Sequence, residues 1–494
     1  MNNYDIIIIG SGLGGLLSGF LLSKEGFKVC ILEKQPKPGG NLQNFSLHGC
    51  SFDTGVHYVG SLLPNQTLYS YWNYFGLMDK ISTCRMDIDG FDHISIEDKE
   101  FNLAQGFDNF KLKLQDKFPN EQRALSKYVD QLITISNSFP LYNLKFSKTI
   151  SKDPYLSSGA YQFFSSLSQN PLFPAVLAGN NFLYSGDRYK TPLYIAALIN
   201  HSFISSAWRL IGGSYQITEI LSDQIRSMGG ALFTSSEVIR IKKDRKKFMV
   251  STTRGEQFFS TFLISNTHPR ITLGMLDPDL VKDSFRLRME KLQNTVSSFI
   301  LNLVLKPDTF PYLNYNFYYF TSGNVWTTIS SKKDKWPESY LLYTPVYEHG
   351  CVFAKSAIIL TYMNYDEVRK WENSEVGKRG EEYLAFKQER IDRLLKLVGK
   401  KFPSLLESID FMEASTPLTF RDYTGTVEGS MYGIQKDFND PLQTMIIPRT
   451  RIPNLFFTGQ NTSLHGMLGV TIGAILTCGE IVGLDYLVNK IRRD

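Results

Sequence analysis

The chain has 494 residues, 43% of them hydrophobic and 20% charged. This composition excludes an intrinsically disordered protein, and the length predicts two or three structural units. A net charge of +5 is too small a bias to indicate a nucleic-acid partner.

The basic clusters Lys242–Lys247 and Lys490–Arg493 read as a solvated hairpin and a chain end, with at most a weak pull toward anionic lipid heads. Aromatic residues reach 13%, enough either to fill a core well or to line a long apolar pocket. The five cysteines, Cys30, Cys50, Cys84, Cys351 and Cys478, form no CxxC pair. Their odd number and spacing argue against zinc and a disulfide framework, and fit a reducing, cytoplasmic compartment. No basic leader precedes the first strand. The most apolar stretch, Leu464–Cys478, is too short and glycine-rich for a membrane span.

The first element, Tyr4–Ile9, reads as a buried parallel strand. A helix follows, with Leu13, Leu16, Leu17, Phe20 and Leu21 on one stripe and Gly26 beyond its end. A second strand, Lys28–Leu32, finishes at Glu33 and Lys34. This is a strand–turn–helix–strand unit of dinucleotide-binding size. In the turn, Gly10-x-Gly12-x-x-Gly15, each glycine has a task. Gly10 turns the chain, Gly12 admits a pyrophosphate, and Gly15 lets helix and strand pack. The helix start at Leu13 and Gly14 offers free N–H groups to phosphate. Glu33, 18 residues past Gly15, is placed to accept from both ribose hydroxyls and disfavours a 2′-phosphate. The pair Gly39-Gly40, followed by Asn41, reads as a second loop close to the cofactor or as an ordinary turn.

Next comes Phe52-Asp53-Thr54-Gly55-Val56-His57-Tyr58-Val59-Gly60. With the two glycine motifs, this segment resembles the all-trans-retinol 13,14-reductase (retinol saturase) group and its relatives, the carotenoid isomerases and phytoene desaturases. The resemblance implies an α/β fold: a Rossmann-like FAD-binding domain of glutathione-reductase type with an inserted α+β substrate domain. It also implies that Val238 meets the adenine. Asn41 stands where phytoene desaturases and amine oxidases more often have Arg, which favours the saturase and isomerase side.

Further along, Ile211–Ser214 leads into a helix to about Met228, and a hairpin pairs Val238–Ile241 with Phe248–Thr252. Phe262–Asn266 and Ser298–Val304 read as strands, and Gly377–Val398 as a polar helix. Near the end, Pro453–Gln460 reads as a turn, a short buried strand and Gly459. Gly466, Gly469 and Gly473 punctuate a helix whose apolar side carries Met467, Val470, Ala474, Cys478 and Ile481. Gly459, Gln460, Gly466 and Leu468 are therefore assigned to the flavin end of FAD, where a helix N-terminus favours the anion formed on reduction.

The expected division is 1–75, 206–295 and 411–494 for FAD, with 76–205 and 296–410 as substrate inserts. The expected activity is saturation, desaturation or isomerisation at carbon–carbon double bonds of an apolar polyene or isoprenoid. A single dinucleotide fingerprint implies an external electron donor or acceptor, and a lipophilic substrate implies peripheral membrane contact. His57 is the first candidate for catalytic proton donor, ahead of Tyr58 and His465; Tyr423, Tyr432 and Arg421 are further pocket candidates. An amine oxidase and a flavin-free lipid escort protein are the competing readings.

Overall fold

The computed structural model describes residues 2–145 and 154–493, so residues 146–153 of the expected first insert lie outside the described residues. Its centre is a five-stranded parallel sheet in the order Ala231–Phe233, Val29–Leu32, Ile6–Ile9, Phe262–Ser265, Leu455–Phe457. Ile8 pairs with Ile31, Ile7 with Leu263, and Ile264 with Phe456. Ile6, Ile7 and Ile8 are fully buried, as unbroken apolar runs in parallel strands require. The C-terminal strand thus joins the sheet that the chain opens.

The helices Leu13–Lys24 and Gly466–Val482 pack together on this sheet, close enough for the Cys478 Sγ to approach the Ser18 carbonyl at 3.9 Å. A four-stranded sheet, ordered Asn2–Asn3, Gln257–Ser260, Lys247–Thr252, Val238–Asp244, lies alongside. The first strand starts at Ile6 rather than Tyr4, because the Tyr4 amide donates to Phe259 of that second sheet. The polar helix starts at Glu381 rather than Gly377, since Gly377 and Gly380 both have φ of +80°.

A seven-stranded sheet forms the second body, in the order 409–415, 297–305, 356–363, 339–343, 316–320, 92–96, 99–103. It draws strands from both expected inserts and from the closing segment. Alternation divides its residues between two faces. Phe299, Leu301, Leu342 and Ile359 pack with Ile391 and Leu394 of helix Glu381–Val398. Leu341, Tyr343, Ile358 and Leu360 turn to the other side, toward the central core. Helix Leu193–Ser205 covers part of that side. The carboxyl ends of the parallel strands, the inner face of the large sheet and this helix together enclose the main cavity.

Candidate functional site

The glycine turn sits where ligands bind in open α/β sheets, at the carboxyl ends of strands that diverge to either side. The Gly10 amide donates to Leu32 at 2.8 Å, closing the turn on the neighbouring strand. A Cβ at Gly15 would lie 2.1 Å from the Gly10 carbonyl. Gly15 therefore packs helix on strand and does not line the cavity, whereas Gly10, Gly12, Leu13 and Gly14 do. A Cβ at Gly14 would meet the Asn266 amide at 2.7 Å and the Gly459 backbone at 2.9 Å. In the amide orientation that satisfies both ends of its side chain, Asn266 accepts from Gly12 and Gly15 at 3.3 Å each.

At one end of the cavity stand Glu33, Lys34, Gln35, Ser236, Glu237 and Val238. Glu33 is nearly buried at 6% exposure, and the protein already holds it. Its Oε2 accepts from the Ser11 amide at 2.8 Å and the Ser11 Oγ at 2.7 Å; its Oε1 accepts from the Gln35 amide at 2.9 Å. A carboxylate offers roughly four acceptor sites, so room remains for a single ribose hydroxyl rather than for two. Ser11 Oγ also accepts from the Gly39 amide at 3.1 Å, tying the second glycine loop to the first.

Gly39, Gly40 and Asn41 follow along the cavity wall. The Asn41 Nδ2 donates to Gln460 Oε1 at 3.4 Å, joining the two ends of the chain. Gly459, Gln460, Gly466 and Leu468 line the same stretch. No side chain caps the 17-residue helix that starts at Gly466. Beneath this loop, Lys436 Nζ donates to the carbonyls of Asn461 at 3.1 Å and Thr444 at 3.0 Å. Burial pulls the Lys436 ammonium down to about 7.

The cavity, about 370 Å³, continues between apolar walls: Leu183, Leu198, Ile199, Phe203, Ile300 and Leu360. His57, Tyr58, Tyr343, Tyr432 and His465 line it as well. Tyr58 OH donates to Asp92 Oδ2 at 3.0 Å and lies 3.0 Å from Tyr318 OH. Burial pushes Asp92 up to about 7. His57 lies against the rings of Tyr58 and Tyr343, with centroids 4.7 and 4.9 Å away. Burial first, and then the Arg209 guanidinium, hold its pKa down at about 3. His465 donates from Nε2 to the Leu183 carbonyl at 3.2 Å, and burial holds it at about 4. Neither ring is an imidazolium near neutral pH. Tyr423 lines the cavity but is 53% exposed. Arg421 is turned away, onto Asp422, Tyr365 and the Glu372 carbonyl.

Several residues of the site had no motif to announce them. Asn266 was legible only as the end of a buried strand, and Ser11 only as the residue between two glycines. Arg209, 1% exposed, and Asp92 and Lys436 come from segments with no motif of their own.

Residues 8–75 match the NAD(P)-binding Rossmann-like domain family. Over 97% of its length the chain is 26% identical to the zebrafish (Danio rerio) all-trans-retinol 13,14-reductase, covering 86% of that protein. The chain resembles the retinol 13,14-reductases from end to end. Prolycopene isomerase of Arabidopsis thaliana is 23% identical over 99% of this chain and 84% of its own. The cyclohexylamine oxidase of Brevibacterium oxydans superposes with a TM-score of 0.61 at 14% identity, covering 99% of both chains. The fold is thus α/β, a Rossmann-like nucleotide-binding domain carrying an inserted α+β domain. Among the described residues, no helix is long and apolar enough to cross a membrane, and no cluster of metal-binding side chains occurs.

Proposed function

We propose that the protein is an FAD-dependent oxidoreductase acting on carbon–carbon double bonds of an apolar polyene of retinol or carotenoid type. The observation that carries this reading is the continuity of the cavity: one space runs from Glu33 past the glycine turn into the apolar chamber beneath Ile300 and Leu360. The names of the full-length relatives support the substrate class.

The residues fit an adenine dinucleotide. A Cβ at Gly12 would come within 3.0 Å of the Asn266 amide, so the cradle is closed on the protein side and bare toward the cavity. Gly10, Gly12, Leu13 and Gly14 hold the pyrophosphate, Glu33 and Lys34 the ribose side, and Val238 the adenine. Gly39, Gly40 and Asn41 cover the middle, and Gly459, Gln460, Gly466 and Leu468 the flavin end. Bound FAD supplies hydride transfer to or from carbon. The chamber orients the polyene and excludes water. The N-terminus of helix Gly466–Val482 stabilises negative charge by about 0.3–1 kcal/mol, which tunes the cofactor without explaining the rate. Electrons enter or leave by encounter with an external partner.

The test is anaerobic photoreduction of the purified yellow protein, followed by addition of retinol and carotenoid precursors. Reoxidation by a polyene supports the reading. A colourless protein that binds isoprenoids points to an escort role instead, and peroxide release with simple amines points to an amine oxidase.

A further inference from the structure

Beside His57 lies a second, small cavity of about 20 Å³. It is room for about one water molecule. Asp53, Val56, His57 and Tyr343 line both this cavity and the main one, so they form the wall between them. Arg209 lines the small cavity but not the main one.

Two polar atoms here are sealed from solvent with no hydrogen-bond partner: His57 Nε2 and Arg209 Nε. Arg209 also donates to three backbone carbonyls, with NH1 on His57 at 3.3 Å and NH2 on Tyr315 at 2.9 Å and Leu313 at 3.4 Å. A buried polar atom left bare has lost its hydration with nothing in return. Two of them, on residues that line one water-sized space, mark a water site. The orientation follows from the donor types. Arg209 Nε–H can only donate, so the water oxygen accepts from it. The water then donates to His57 Nε2, which must be unprotonated. The ring proton therefore sits on Nδ1, the nitrogen that is not sealed.

We infer that this cavity holds one ordered water, fixed by Arg209, through which the Asp53 carboxyl passes protons to His57 for delivery into the main cavity. The inference rests on the proposed polyene reduction and names its acid. The Asp53 O–H breaks as the water takes its proton; the water gives one of its own to His57 Nε2. The Nδ1–H bond breaks as a C–H bond forms at the polyene carbon. The electron pair for the neighbouring C–H bond comes from the two-electron-reduced flavin. The imidazole ends as its Nε2–H tautomer and resets by ring rotation, and Asp53 regains a proton from solvent.

The local chemistry is consistent with this route. Ser214 donates its amide and its Oγ to Asp53 Oδ1, both at 2.8 Å, which anchors the carboxyl. Burial nevertheless raises Asp53 to about 6, so it carries a proton for part of the time near neutral pH. His57, held at about 3, passes a proton on without storing it. His57 is the catalytic residue, and Asp53 and Arg209 act through it as positioning and supplying groups.

Three measurements test the inference. A high-resolution crystal structure should show one water within about 3.2 Å of both Nε atoms; an empty cavity overturns it. Nitrogen-15 NMR of histidine-labelled holoenzyme should report the Nδ1–H tautomer at His57, and the Nε2–H tautomer overturns it. In single-turnover reoxidation of photoreduced enzyme by retinol, His57→Gly and Asp53→Asn should each react at least about 100-fold more slowly while retaining flavin. Added imidazole should restore His57→Gly alone. Unchanged rates, or no rescue, overturn the relay. If the wild type fails to react with any polyene, the proposed function falls instead, and the water and the tautomer still decide the site.

Discussion

Ser11 grips Glu33 twice: its amide and its hydroxyl both donate to the same carboxylate oxygen, at 2.8 and 2.7 Å. The residue between the first two glycines of the turn therefore aims the acid at the end of the second strand. Ser11→Ala deletes one charge-assisted hydrogen bond in a fully buried place. It should cost about 1.5–3 kcal/mol, divided between thermal stability and flavin affinity. Thermal melts with and without added FAD measure that division, and an unchanged melting point with unchanged flavin retention would refute the role.

Gly14 is the point where the N-terminal turn, Asn266 and the C-terminal loop converge. Gly14→Ala forces a Cβ to within 2.9 Å of the Gly459 backbone, which has no flexible end to move aside. The variant should purify without flavin. Gly274→Ala is the control, since a Cβ there meets nothing within 4 Å. In the helix Pro269–Met275, that change should be neutral or add about 0.5–1 kcal/mol. Absorbance in the flavin bands separates the two, and a yellow Gly14→Ala protein would contradict the cradle.

Lys436 links stability to pH. Its folded pKa of about 7 lies below the ordinary lysine value near 10.4. Between those values the unfolded chain binds a proton that the folded chain does not, so stability contributed by this site rises with pH, by up to about 1.4 kcal/mol per unit. Below pH 7 both states are charged, and the full cost of burying the ammonium remains. Lys436→Met removes this slope, although it leaves the Asn461 and Thr444 carbonyls without their donor. Urea unfolding of both proteins at pH 7, 8 and 9 should show the wild type gaining relative to the variant as pH rises; a constant difference would count against the buried ammonium.

Ile300 projects from the seven-stranded sheet into the apolar chamber. Ile300→Trp fills space at the substrate end and leaves the glycine turn untouched. Overpacking should cost about 1–3 kcal/mol in stability. Flavin content should hold while KM for a long polyene rises about tenfold or more. Unchanged kinetics would mean that the substrate lies elsewhere.

The local pattern of the sequence determined the nucleotide unit. A buried isoleucine run, three glycines at fixed spacing, a helical stripe and Glu33 are linked by short-range geometry, and each step follows from backbone sterics and alternation. The edges shifted where a longer-range bond intervened, as when the Tyr4 amide found Phe259 in another sheet. That the strand before Gly459 joins the sheet the chain opens was also legible, because a short apolar strand before a glycine and a helix has few places to go in a parallel sheet; that it pairs with Phe262–Ser265 was not.

The chemistry at His57 was decided only by tertiary structure. The residue could be read as a histidine in a motif, but its protonation depends on burial and on Arg209, which lies 152 positions away along the chain. The same holds for Asn266 beneath the glycine turn and for Lys436 beneath the C-terminal loop. Their roles come from contacts between distant segments, and a pattern of neighbouring residues carries no information about desolvation or charge across a cavity. The glycines could be recognised from spacing, whereas the proton path could be seen only once the two cavities and the wall between them were in place.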